Sequence, residues 1–182
     1  MTAVRIQRDK AVAVCVDYQE KIMPAMFGEE QLIVNSTKLL EGLKILGVPT
    51  YLTQQYTKGL GTTISQICEA VGTEEYLEKL SFSACEQLLT KLPSAEETPF
   101  VIICGIESHV CVLQTATDLK ANGYQPYLVT NCISSRKESD YAMALERAKQ
   151  EGILLTTYES ILFELLKEAG TDLSKQIQKV VK

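Results

Sequence analysis

The sequence predicts an α/β fold in which one six-stranded, mostly parallel sheet lies between helices in a three-layer α/β/α arrangement. Three observations carry that prediction. Short β-branched apolar runs alternate along the chain with segments of helical period. The runs are continuously apolar rather than apolar at every second residue, as strands buried on both faces are. Their spacing is that of βαβ units, which close with right-handed crossovers. At 182 residues the chain is long enough to bury one core and short for two, so a single domain over residues 1–182 is expected.

Ala11 to Val16 is the first such run, ending at Asp17. Gln31 to Leu46 carries Leu32, Leu39, Leu40, Leu43 and Leu46 at near-helical spacing and stops at Gly47 with Pro49 beyond, a helix with its C-terminal stop. Val48 to Thr53 reads as the second strand and Gln54 to Thr63 as a loop at the active edge, followed by a short helix at Ile64 to Val71. Leu77 to Ser83 alternates apolar and polar residues, and Cys85 to Thr90 makes one or two helical turns. Phe100 to Cys104 is a buried strand leaving through Gly105. His109 to Ala121 is a helix capped by Asn122-Gly123. Strands at Tyr127 to Thr130 and Ile153 to Thr156 flank a helix at Lys137 to Gln150, and helices at Tyr158 to Glu168 and Asp172 to Lys182 finish the chain.

Composition narrows the partners. A net charge of -5 with no basic run argues against nucleic acid, which needs a basic patch to neutralise phosphates. Met1 to Lys10 is charged and lacks an apolar signal core, and no stretch approaches the roughly 20 apolar residues of a membrane span, so a soluble, cytoplasmic protein is expected. Six cysteines without a secretory signal read as reduced thiols. With one histidine and no C-x-x-C pair, neither a zinc site nor any other cofactor is expected.

Ligands of parallel α/β sheets bind outside the carboxyl ends of the strands. Three reactive side chains fall there: Asp17 after the first strand, Lys79 in the third and Cys111 after the fourth. Each also has an ordinary reading, Asp17 as a loop acid or cap, Lys79 as a solvated lysine and Cys111 as a buried structural thiol. Asp17-Tyr18-Gln19 contains no glycine, which excludes a dinucleotide loop, and lacks the second acid of a D-x-D phosphatase. Cys111 falls in the first turn of the predicted helix, where backbone N–H groups and a neighbouring lysine would lower its pKa. His109 is two residues from Cys111, and on a helix the two would point apart, so a structural or pocket-lining role suits it better than a Cys-His dyad.

Four segments go further. Gly105-Ile106-Glu107-Ser108-His109-Val110-Cys111-Val112 resembles the nucleophile motif of isochorismatase-like cysteine hydrolases, especially the isochorismatase domain-containing subgroup. Val16-Asp17-Tyr18-Gln19-Glu20-Lys21 is similar to that family's D-x-Q opening, Glu78-Lys79-Leu80-Ser81-Phe82-Ser83 to its lysine strand, and Thr53-Gln54-Gln55-Tyr56-Thr57-Lys58-Gly59-Leu60-Gly61 to its second-strand loop. The four occur in family order.

The resemblance implies a three-layer fold of Rossmann-like topology, an Asp17, Lys79 and Cys111 triad, and a cis peptide between Ile106 and Glu107. It also implies hydrolysis of a carboxamide or ureide, and a homo-oligomer. Nicotinamidases build a metal site from an Asp and several His near the second-strand loop, where this chain has Gln54, Gln55 and Tyr56, and true isochorismatases lack the cysteine. The expected chemistry is therefore attack by the Cys111 thiol on a C–N bond of a small molecule. The backbone N–H groups of Glu107 and Cys111 would hold the oxyanion, and Gln19, Tyr56 and Phe82 would line the substrate. A scaffold with a vestigial site, or a redox-sensing Cys111, are the competing readings. The crowd of Ile161, Leu162, Phe163, Leu165 and Leu166 on one helix gives the oligomer a further reason.

Overall fold

The computed structural model describes residues 5–182; the first four residues of the charged segment Met1 to Lys10 lie outside the described residues. Strands β1 (Ala11–Val16), β2 (Thr50–Gln55), β3 (Tyr76–Lys79), β4 (Phe100–Ile106), β5 (Gln125–Ser134) and β6 (Leu154–Thr156) form one sheet in the order β3-β2-β1-β4-β5-β6. Every pairing is parallel, so the expectation of a mostly parallel sheet becomes an all-parallel one among the described residues. Between them lie α1 (Glu29–Ile45), α2 (Thr57–Leu60), α3 (Ser65–Val71), α4 (Cys85–Leu89), α5 (Leu113–Ala121) and α6 (Glu138–Gln150), with α7 (Tyr158–Leu166) and α8 (Asp172–Val181) at the end.

The period-2 geometry of a strand divides the core in two. On β1, Ala11, Ala13 and Cys15 face one cluster with Leu39, Leu43 and Leu162, while Val12, Val14 and Val16 face another with Val112, Leu119 and Leu128. Helices α1, α3, α7 and α8 cover the first face and α4, α5 and α6 the second, which gives the predicted three layers. Helix α1 carries Glu29 and Glu30 in its first turn and Lys44 in its last, matching the helix dipole.

Among the boundaries that differ from those expected, three bear on the strand ends. β2 runs on to Gln55, because Thr53, Gln54 and Gln55 pair with Leu77, Glu78 and Lys79 of β3. β5 extends to Ser134, since Ile133 and Ser134 pair with Gly105 and Ile106 past a shift in register at which β5 carries the extra residues. The helix expected from His109 begins as a π-helical turn, Ser108–Val112, before α5.

The α7 side chains that suggested a second subunit find partners inside the chain. Ile161, Leu162, Leu165 and Leu166 are buried, with α8 packed across α7 and α1 and its Ile177 fully covered. Phe163 alone of that crowd stays partly exposed.

Strand order reverses between β1 and β4. Chain growth moves outward from β1 through β2 to β3, and from β4 through β5 to β6. The crevice at such a switch point lies at the carboxyl ends of the central strands, so the residues after β1 and β4 come to one place. Gly105 makes the approach possible: at φ +128, a Cβ there would stand 2.1 Å from the Val16 carbonyl oxygen. No other residue fits that contact.

Candidate active site

Asp17 leaves β1 with φ 51, a left-handed turn that Asp tolerates better than most residues. Its Oδ1 accepts a hydrogen bond from Thr53 Oγ1 at 2.7 Å, and its Oδ2 lies 2.6 Å from Lys79 Nζ. Lys79 closes β3, two strands away and so roughly 9.5 Å across the sheet; its long stem crosses β2 to reach the carboxylate. Both side chains are buried. The ammonium also donates to Gln55 Oε1 at 2.7 Å, Phe82 O at 2.9 Å and Ser81 O at 3.3 Å. Desolvation of the pair is offset by this ring of acceptors.

Oδ2 of Asp17 pairs with Lys79 as an ion pair without hydrogen-bond alignment, which leaves it a buried acceptor short of a donor. The Cys111 thiol feels both charges, the Asp17 carboxylate and the Lys79 ammonium. Cys111 sits in the π-helical turn and is 7% exposed. Burial, then the Asp17 carboxylate, push its pKa up to about 12 against the opposing pull of Lys79. This corrects the expectation of a thiol acidified by a helix N-terminus: the turn is π-helical, and burial beside a carboxylate outweighs the cation. With its pKa near 12 the thiol keeps its proton at neutral pH.

An isochorismatase domain matches residues 11–160 of the chain. The chain belongs to the isochorismatase family. Isochorismatase domain-containing protein 2 of Danio rerio is 36% identical over 178 residues, covering 97% of this chain and 89% of that protein. Isochorismatase domain-containing protein 1 of Salmo salar is 37% identical over 172 residues, and there the match takes in 92% of this chain but 59% of the relative. Among solved structures, the MAR1 ribonuclease of Caenorhabditis elegans superposes with a TM-score of 0.87 at 32% identity, covering 98% of this chain and 92% of its own. Membership of the isochorismatase family supports a hydrolase-type function.

The remaining expected site residues of this isochorismatase-family chain fall in three groups. The Ile106–Glu107 peptide is cis, as the resemblance implied. The Glu107 carboxylate is held by the backbone N–H of Arg136 at 3.2 Å and by its Nε at 2.9 Å, which fixes the entry to the Cys111 turn. Gln19 is fully buried and commits its amide to the fold: Nε2 donates to Gln55 O and Gly61 O, and Oε1 accepts from Gln55 N. It braces the second-strand loop, a correction to its expected place against substrate. Tyr56 is half exposed on a hollow of about 630 Å3 with Lys58, Glu78, Lys79 and Leu80. Phe82 meets Lys79 through its carbonyl, and its ring is exposed.

His109 turns its Nδ1 to Ser135 Oγ at 2.9 Å. Among the described residues no group of three or more His, Cys, Asp and Glu stands together as metal ligands, and Gln54 is taken up by Thr57 and Thr63. The sequence reading overlooked Thr53 and Gln55. Both belong to the segment that resembles the family's second-strand loop and stand at the carboxyl end of the strand beside β1, but as polar residues where a strand becomes a loop they suggested no role of their own.

Proposed function

We propose that this protein is a cysteine-dependent hydrolase that cleaves a C–N bond of a small carboxamide or ureide through a thioester. Carrying the reading is one observation, a protonated thiol beside a buried carboxylate whose free acceptor is short of a donor. Asp17 takes the Cys111 proton as sulfur attacks the carbonyl carbon, and Lys79 holds the adjacent negative charge. The backbone N–H groups of Glu107 and Cys111 receive the oxyanion. The C–N bond breaks as Asp17 returns the proton to the leaving nitrogen. Water then adds to the thioester, giving its proton to Asp17, and the carboxylic acid leaves as the thiol is restored. In this proposal the reaction belongs in the cytosol, where a reducing medium keeps such a thiol free.

A second reading, cleavage of RNA, is favoured by the name of the Caenorhabditis elegans neighbour. The net charge of -5 weighs against it, because a surface tracking phosphates is basic. Wild type and Cys111→Ala assayed against a panel of small carboxamides and ureides, with single-stranded RNA as a further arm, test both readings. Release of ammonia or amine by wild type alone supports the first. RNA cleavage that survives Cys111→Ala, with no amide turnover, would replace it. The second copy of the chain expected from the sequence belongs to the same proposal, and a solution mass near 20.2 kDa by light scattering would remove it.

A further inference from the structure

We propose that Gln55 is a positioning residue of this site, whose carboxamide fixes the Lys79 ammonium against Asp17 and ties the backbone that follows β3 to the same point. The inference rests on the Asp17, Lys79 and Cys111 reading above. Gln55 is the register partner of Lys79, so the end of β2 lies alongside the end of β3. Its Oε1 accepts from Lys79 Nζ at 2.7 Å and its Nε2 donates to Leu80 O at 2.8 Å. The orientation is forced by chemistry: an ammonium only donates and a carbonyl only accepts, so the amide has one allowed direction. Ser81 O and Phe82 O complete the enclosure of the same ammonium.

A lysine ammonium has three protons on a flexible stem, and it acts as a fixed charge only where its surroundings hold it. Without Gln55, Nζ is shared among Asp17 and two carbonyls of its own loop, and nothing on β2 keeps it at the carboxylate. Its cation is what opposes burial and Asp17 at the thiol. The charged groups bearing on the thiol are Asp17 and Lys79, and the neighbouring acid on β3, Glu78, points to the other face, accepting from Thr57 N at 3.0 Å. Gln55 therefore acts on Cys111 through Lys79. Its backbone bonds to Gln19 do not depend on its side chain, which keeps the strand intact when that is changed.

Wild type, Gln55→Met and Gln55→Glu are compared by iodoacetamide labelling from pH 7 to 10, with the Cys111 peptide quantified by mass spectrometry and thermal unfolding recorded alongside. Gln55→Met removes both side-chain hydrogen bonds and is expected to slow Cys111 labelling about threefold. Gln55→Glu adds a charge that competes for the ammonium and should slow it about tenfold, equivalent to one unit of thiol pKa. A purely structural role would lower the unfolding temperature and leave the Cys111 rates of the folded variants unchanged; coincident pH profiles overturn the proposal. The charge-free pair Asp17→Asn with Lys79→Met separates this from the parent reading. Removing both groups that bear on the thiol should change the pH profile of Cys111 labelling; a profile equal to wild type would reject the triad itself.

Discussion

Asp17 Oδ2 and Lys79 Nζ meet at 2.6 Å across a strand that contributes neither of them. An ion pair buried this fully is costly to break from one side, because the surviving partner is left charged and unsolvated. Lys79→Met is expected to lose about 3 to 5 kcal/mol of stability in urea unfolding. The double change Asp17→Asn with Lys79→Met should recover most of that loss while turnover stays absent. A single and a double variant of equal stability would mean that the pair is not coupled.

The hydroxyl of Thr53 holds the other carboxylate oxygen at 2.7 Å. Thr53→Val keeps the shape and removes the donor, and should cost about 1 to 3 kcal/mol. It should also reduce turnover at least tenfold, since the base is no longer aimed, whereas Thr53→Ser retains both. Steady-state kinetics on a substrate found by the panel, together with urea melts, check the pair of variants.

Gly105→Ala should be among the most damaging single changes outside the charged residues. The new methyl would stand 2.1 Å from Val16 O and 2.6 Å from Val16 N, backbone atoms that cannot move without displacing Asp17. A loss of about 3 kcal/mol or more is expected. Gly123→Ala, where φ is +90 but the added atom meets nothing nearer than the Ala95 methyl at 3.5 Å, should cost about 1 to 2 kcal/mol. Thermal unfolding of the two proteins side by side gives the comparison.

The Cys111 thiol should make the fold less stable as pH rises into the alkaline range. Its folded pKa of about 12 lies above the ordinary 9.0, so the unfolded chain releases this proton first as pH rises. Its contribution to stability is whole below pH 9 and is lost between 9 and 12, at up to about 1.4 kcal/mol per pH unit. Cys111→Ala lacks that term. Unfolding curves at pH 8, 9 and 10 should show wild type losing stability faster than the variant, and parallel losses would place the thiol in ordinary solvent.

Much of the fold was legible because it rests on local pattern. The continuous apolar runs at Ala11 to Val16 and Phe100 to Cys104 can be buried only between two layers of helices, and their alternation with helical segments leaves a parallel sheet as the closed solution. The motifs around Asp17, Lys79 and Cys111 placed the reactive groups at strand ends for the same reason. What no local pattern contains is which strand lies beside which, and in what register. That Thr53 reaches Asp17, that Gln55 faces Lys79 and that Gln19 is spent on the loop at Gln55 all depend on β2 lying between β1 and β3. The state of the thiol was out of reach as well: position in a helix suggested acidity, but a pKa is set by the sum of burial and every nearby charge. Here burial and the Asp17 carboxylate, both products of tertiary packing, reversed its sign.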